Sequence, residues 1–402
     1  MAAGRGTVPG VVGWLWLFCL FTLVCFRGRV QADCECGYAA GDVGSGSGSN
    51  TNITAQRHVF TEVLESNFAL LQDVALDTDW ARQAFNVTAE RARGRHGEMF
   101  ATDNVATHPG PEDGLQLSVR SQLVDGMVSG AEVDSTRLDL SYGTFRALMK
   151  MSSIPGTCAA FFWYLNDTQE IDIELLSREF DAANASYPVN LVLQSREAAE
   201  SGFNAAQTGT FVKAYLPFDP TKDFHEYRID YVPGQVFFYA DGALLAGMNG
   251  SAVPTSAGHL ILQHWSNGNA LWSGGPPDRD AVLTVGYVKA YFNSSTARRR
   301  EDWMRRCGGG GGGGDSANAV CDIPSVSPAN SSARGWFFSD RGNMTNNQTV
   351  YDQDSGSAPR RVMGMDAACF CMFVWARMEI MERRCNDEKE ERLNVMVLFP
   401  KR

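Results

Sequence analysis

The sequence predicts an all-β fold, and three observations carry that reading. From Leu115 to Tyr291 short runs of alternating apolar residues recur, separated by Gly, Asn, Asp and Pro, a pattern of many strands rather than of helices. Val232-Pro233-Gly234-Gln235 reads as the turn of a hairpin that joins Tyr227 to Tyr231 with Val236 to Ala240. The 402 residues, 44% apolar and 11% aromatic, are ample for one core of about 200 to 250 residues, which a β-sandwich can fill as a single domain.

Taken in chain order, the first element is a leader. Arg5, the apolar run from Val11 to Phe26 and Val30-Gln31-Ala32 read as a secretory signal over residues 1–32, cleaved after Ala32. Arg27 and Arg29 lie on the wrong side of the run for a clean charge asymmetry, so an uncleaved membrane anchor is the alternative. Nine N-x-S/T sequons, at Asn52, Asn86, Asn166, Asn184, Asn249, Asn293, Asn330, Asn343 and Asn347, agree with export. Roughly two would be expected at average composition.

Beyond the leader, Gly41 to Thr54 reads as a surface loop and Thr61 to Asp73 as a short helix or strand. Eight cysteines follow the leader: Cys34, Cys36, Cys158, Cys307, Cys321, Cys369, Cys371 and Cys385. The even number suits disulfides in an oxidising compartment, and a Cys307 to Cys321 bridge closing the Gly308 to Gly314 run is expected. Neither Cys34-Glu35-Cys36 nor Cys369-Phe370-Cys371 has C-x-x-C spacing or a His pair, so zinc is not expected.

The arginines at 298–300 and 305–306 are expected on the exposed face of a short helix near Glu301 to Met304. Residues 307–359 read as a Gly/Ser/Asn-rich linker and 360–402 as a poorly ordered tail. The tail's apolar run, Ala367 to Ala376, is too short to span a bilayer. A net charge of −11 argues against a nucleic-acid partner.

The chemistry is concentrated in Glu170-Ile171-Asp172-Ile173-Glu174. A strand has period two, so the alternation puts three carboxylates on one face and anchors two isoleucines in a core on the other. Neighbouring carboxylates repel each other, and an ordinary solvent face rarely gathers them. Two carboxyl groups of different proton affinity are the equipment for glycosidic cleavage, with Glu170 and Glu174 as the pair. Four strand steps span about 13 Å, whereas a retaining mechanism wants carboxyl groups about 5 to 5.5 Å apart, so the side chains must lean together with Asp172 between them. The same pattern also occurs on exposed strands and in calcium loops.

Five further blocks set this motif in context. They are Gly143 to Lys150, Gly156 to Tyr164, Asp223 to Tyr227, Val236 to Gly242 and Gln263 to Gly268. In this order the blocks resemble the catalytic domain of glycoside hydrolase family 16, especially its fungal secreted members, over roughly Cys34 to Asn293. The resemblance implies a concanavalin A-like jelly-roll sandwich of two curved antiparallel sheets, with residues 33–306 as the catalytic domain. It implies an endo-acting retaining β-glucan hydrolase in which Glu170 attacks the anomeric carbon, Glu174 is the acid and then the base, and Asp172 orients the nucleophile.

The single residue between Asp172 and Glu174 is the regular-strand form of the family's licheninases, xyloglucan-active enzymes and wall transglycosylases; many laminarinases carry an extra residue there. A transglycosylase that cross-links wall glucan or chitin is the runner-up, and a lectin-like binding domain the third reading. By the same resemblance Phe162 and Tyr164 face the groove with Phe161 and Trp163 in the core, and Gln263 and Trp265 lie beside the cleaved bond. Trp272 is a further platform candidate. His264 and His225 are expected to be structural, which leaves no Ser-His-Asp triad. The expected partner is a polysaccharide, with no redox or nucleotide cofactor and room for a structural calcium, in a secreted or wall-bound protein.

Overall fold

The computed structural model describes residues 33–44, 56–108, 114–308 and 319–340. The expected leader, most of the Gly run, the sequons at Asn52, Asn343 and Asn347, and the tail at 360–402 lie outside them. Among the described residues the chain forms two large sheets and one small one. The first large sheet runs, by neighbour, Phe211–Tyr215, Pro188–Gln194, Gln169–Leu176, Cys158–Asn166, His259–Trp265, Met127–Ser135, Gly97–Phe100 and Phe85–Val87. Its pairings are antiparallel except that of Met127–Ser135 with Gly97–Phe100. The second is built around Leu140–Lys150, flanked by His225–Val232 and Ala281–Ser294.

Period-two alternation explains how the sheets close on each other. Ile171, Ile173, Phe161, Trp163, Leu191 and Leu262 point inward from the first sheet, and Phe145, Ala147, Ile229 and Phe238 meet them from the second. Burying each such side chain is worth about 1.5–3 kcal/mol, so the inward set determines the register. In the central strand Ala281–Ser294 the inward set changes parity between Val285 and Val288, where a bulge at Leu148/Met149 skips Gly286. The anticipated hairpin is present: Val232 pairs with Gln235 around Pro233 and Gly234, and Gly234 takes the left-handed φ of 73° that the two-residue turn requires.

The outer face of the second sheet is charged yet covered. Arg228 and Asp230 are buried there as an ion pair, with the guanidinium 4.1 Å from the Tyr239 ring. The cover is a small sheet of Gly37–Val43, Gln56–Phe60 and Val320–Asp322, in which the last strand lies parallel to the first. Its apolar residues Tyr38, Phe60, Ile323 and Phe338 form a second core with Phe237 and Tyr291. Residues 319–340, expected within a linker, are therefore folded onto the sandwich. Lys289 donates to the carbonyls of Ala333, Arg334 and Trp336 at 3.3, 2.9 and 2.7 Å, and Arg146 donates to that of Pro324 at 2.8 Å. Burial pulls the Lys289 ammonium down to about 8.

The disulfides correct the expected pairing. Cys34 joins Cys321 and Cys36 joins Cys307, so each bridge closes a loop of more than two hundred residues instead of the Gly run. Sequence proximity misled here because the segment Cys34 to Cys36 reaches both later cysteines. The expected helix is Ala297–Cys307, longer than anticipated, and its arginines are not uniformly exposed: Arg299 pairs with Glu62 at 2.6 Å with little of its side chain open to solvent. Cys158 is a free, buried thiol, contrary to an all-disulfide count.

Non-reducing peptide mapping is expected to recover Cys34–Cys321 and Cys36–Cys307 as linked peptides, while a Cys307–Cys321 peptide would overturn the pairing. A chain ending at Arg306 loses both bridges and the covering strand. Its denaturation midpoint is expected to drop, since each native disulfide contributes about 2–5 kcal/mol.

Candidate active site

The outer face of the first sheet collects the polar residues. Because Gln169–Leu176 pairs regularly from Cys158↔Leu176 to Tyr164↔Glu170, its three carboxylates fall into successive cross-strand rows. Glu174 stands beside Ala160 on one side and Asn190 on the other, and the row continues from Ala160 to Gln263 and Glu132. Asp172 lies in the next row, with Phe162, Ile261 and Asp134. Glu170 lies in the third with Tyr164 and His259, opposite Gln194. The inward side chains Ile171, Ile173 and Leu175 are almost wholly excluded from water, so a one-residue slip would exchange core and site.

The carboxyl groups are not equivalent. Burial raises all three proton affinities. Glu170 is pushed up to about 8 by burial, opposed by a hydrogen bond from Asp172 and by the Arg93 charge and reinforced by the Glu174 charge. Asp172 is raised well above the usual carboxylate range, by burial first and then by both glutamates. The hydrogen bond from Asp172 thus opposes, without cancelling, the burial-driven rise of Glu170. Glu174 is raised by burial, while two donors oppose the rise: the Cys158 S–H and the Trp272 indole N–H, each 3.4 Å from Oε1.

Phe162 and Tyr164 share this face, as expected, and Phe161 and Trp163 lie in the main core. Phe162 is only 7% exposed, packed with Ala160 and Ile261 into this face of the sheet. Tyr164 stands edge-on to it and donates its hydroxyl to Asp167 at 2.7 Å. Gln263 donates to Glu132, and Trp265 lies opposite Cys158. His264 points the other way, held by the Leu117 carbonyl and the Thr157 hydroxyl, and burial lowers its proton affinity to about 4. His225 is tied to Asp241 and stacked on Phe218.

Two rim loops meet above the strand ends. Residues 88–96 and 267–275 are laced together by His96 N–H to Asn267 O at 2.8 Å, Asn267 Nδ2 to Ala92 O at 2.7 Å and Asn269 Nδ2 to Arg93 O at 3.2 Å. Gly94 allows this approach, because a Cβ there would sit 2.3 Å from the Asn267 carbonyl oxygen. The joint places Trp272 on Glu174. It also carries Arg93, whose guanidinium lies 4.7 Å from the Phe203 ring in the segment between the short helices Arg196–Glu200 and Ala205–Thr208. Arg93 follows the edge strand Phe85–Val87 and Phe203 follows Pro188–Gln194, so the contact joins segments that flank the carboxylate strand on either side in the sheet order.

Several site residues escaped the sequence reading. Cys158 was legible by parity, since it shares a face with Ala160, Phe162 and Tyr164. Glu132 and Asp134 alternate with the core residues Ala131 and Val133 in the same way. Glu98, pushed up to about 7 by burial and bonded to Asn267 at 3.1 Å, and Arg93 carried no local signal.

The elevated Glu170 carboxyl has a consequence for stability. The folded protein keeps a proton that the unfolded chain releases above about 4.5, so stability falls as pH rises from there through about 8. Glu170→Gln removes this dependence. Its thermal midpoint is expected to match wild type below about pH 4.5 and to exceed it near pH 8; equal midpoints across a calorimetric pH series would contradict the raised proton affinity.

Residues 95–281, which include all three carboxylates, match the family described as Glycosyl hydrolases family 16. The chain is 29% identical over 141 residues to a beta-glucanase of Paenibacillus macerans, covering 34% of this chain and 52% of that protein. It is 27% identical over 177 residues to a beta-glucanase of Fibrobacter succinogenes, covering 40% and 46%. The catalytic domain of an endo-1,3-beta-glucanase (laminarinase) from Thermotoga petrophila aligns with a TM-score of 0.47 at 16% identity, over 59% of this chain and 99% of that one. The chain spans about half the length of the curated relatives it matches. Residues 95–281 therefore form a glycoside hydrolase family 16 domain within this chain.

Proposed function

We propose that the domain is a retaining, endo-acting glycoside hydrolase that cleaves β-glucan through a covalent glycosyl-enzyme intermediate. The observation that carries this reading is one strand face with three carboxyl groups in distinct settings: Glu170 bonded to Asp172, and Glu174 bonded to Trp272 and Cys158. Glu170 attacks the anomeric carbon as the carboxylate while Glu174 protonates the departing glycosidic oxygen. Glu174, now ionised, then takes a proton from water, whose oxygen displaces Glu170 and frees the sugar. The hydrogen bond from Asp172 orients the nucleophile and favours its ionised form against the effect of burial. This chemistry calls for no redox or nucleotide cofactor.

Phe162 as floor, Tyr164, Trp265 and Trp272 as walls and Gln263 as a hydroxyl partner suit a chain of sugars, whose apolar faces pack on aromatic rings. The unbulged pairing from Glu170 to Glu174 supports a licheninase-like or transglycosylase-like site over a laminarinase-like one. A transglycosylase is the second reading. It shares the covalent intermediate and differs only in whether water or a sugar hydroxyl accepts the glycosyl group. Export is part of the proposal. Of the six sequons in the described residues, Asn86, Asn166, Asn184, Asn249 and Asn330 are exposed, as glycosylation needs, whereas Asn293 is half-buried with its side-chain oxygen bonded to Thr61 N–H. Among the described residues no helix is long and apolar enough to cross a membrane.

Incubation with defined β-1,3, mixed-linkage and chitin oligosaccharides in isotopically labelled water tests the reading. Label at new reducing ends is expected, and the product masses identify the linkage; longer unlabelled products would indicate transfer to a sugar. Glu170→Gln and Glu174→Gln are each expected to lower turnover by orders of magnitude while oligosaccharide binding persists. Undiminished turnover in either variant would remove that residue from its assigned role.

A further inference from the structure

We infer that Cys158 is a positioning residue for Glu174, its buried thiol fixing Oε1 together with the Trp272 indole and tuning how tightly that carboxyl holds its proton. The inference rests on the assignment of Glu174 as acid and base. Cys158 begins the strand Cys158–Asn166 and pairs with Leu176, which makes Glu174 its diagonal neighbour on the same face. The residue directly across from Glu174 is Ala160, too small to intervene. The thiol therefore reaches the carboxyl at 3.4 Å and converges with Trp272 on one oxygen.

Three properties favour a proton-tuning role over simple packing. Cys158 is fully buried and, among the described residues, has no disulfide partner. Its own ionisation is suppressed by burial and then by the Glu174 charge, so it remains an S–H donor. The second donor comes from a different element, the 267–275 rim loop, so the carboxyl is held between the sheet and the rim. A donor to a carboxylate stabilises the anion. In the first step Glu174 must hold a proton until the glycosidic oxygen takes it; in the second it must accept one. A weak thiol donor moderates the burial-driven rise without abolishing the acid form.

The test compares the full chain with Cys158→Val, which keeps an apolar side chain and removes the donor, and Cys158→Ser, which keeps a donor. The pH dependence of kcat/KM on a β-glucan oligosaccharide reports the acid through its basic limb. Carbon-13 NMR titration of the Glu174 carboxyl in the unliganded protein reports the same group without turnover. Cys158→Val is expected to move both the basic limb and the NMR midpoint upward by about half a unit to one unit, the shift that one neutral hydrogen bond supports. Cys158→Ser is expected to stay at or below wild type, and Cys158→Ala replaces Val in the comparison if Val does not fold. A folded Val or Ala variant with an unmoved NMR midpoint would overturn the inference, whatever its activity. Absence of glycoside cleavage by the wild type would instead count against the proposed function, with the NMR titration still deciding the thiol contact.

Discussion

Everything in this molecule's candidate chemistry depends on one strand, Gln169–Leu176, being locked by its hydrophobic face so that its acidic face has no freedom of register. Ile171, Ile173 and Leu175 are embedded between the two sheets, and their burial outweighs the mutual repulsion of the carboxyl groups behind them. A sheet of this size is needed because neighbouring strands hold the acidic strand on both sides. Phe161 and Trp163 on one neighbour and Leu191 and Leu193 on the other fill the same core layer. The acidic face is thus a by-product of the core's geometry, held at a cost in electrostatic free energy that the core offsets.

That cost is concentrated where chemistry is proposed. Burial raises the proton affinity of Glu170, Asp172 and Glu174, and hydrogen bonds then differentiate them. Asp172 acts on Glu170, whereas Trp272 and Cys158 act on Glu174. Two acids of one kind, four residues apart, acquire different settings because each has a different neighbour across the sheet or from the rim. Perturbed ionisation of this kind, in a cleft and with identifiable partners, is characteristic of catalytic carboxylates.

The opposite side of the sandwich is organised by a different constraint. A face carrying Arg146, Arg228, Asp230 and Lys289 suits solvent, yet it is covered by the N-terminal strand and residues 319–340. The cover is compatible because its backbone carbonyls accept from Arg146 and Lys289 while Arg228 pairs with Asp230, and two long-range disulfides hold the segments together. The cover lies outside residues 95–281, the stretch that matches the family.

The sequence by itself determined the all-β class, the hairpin at Pro233 and Gly234, and the faces of Glu170, Asp172, Glu174, Phe162 and Gln263, because strand parity is a local property written into alternation. The tertiary structure alone decided the partners. Cys34 and Cys36 reach cysteines more than two hundred residues away, residues 319–340 fold onto a charged face instead of linking, and Trp272 and Arg93 arrive at the carboxylates on loops. Each is a pairing between segments distant in the chain. Periodicity gives the direction in which a side chain points, but what it meets there depends on which strands lie side by side and how the loops between them return.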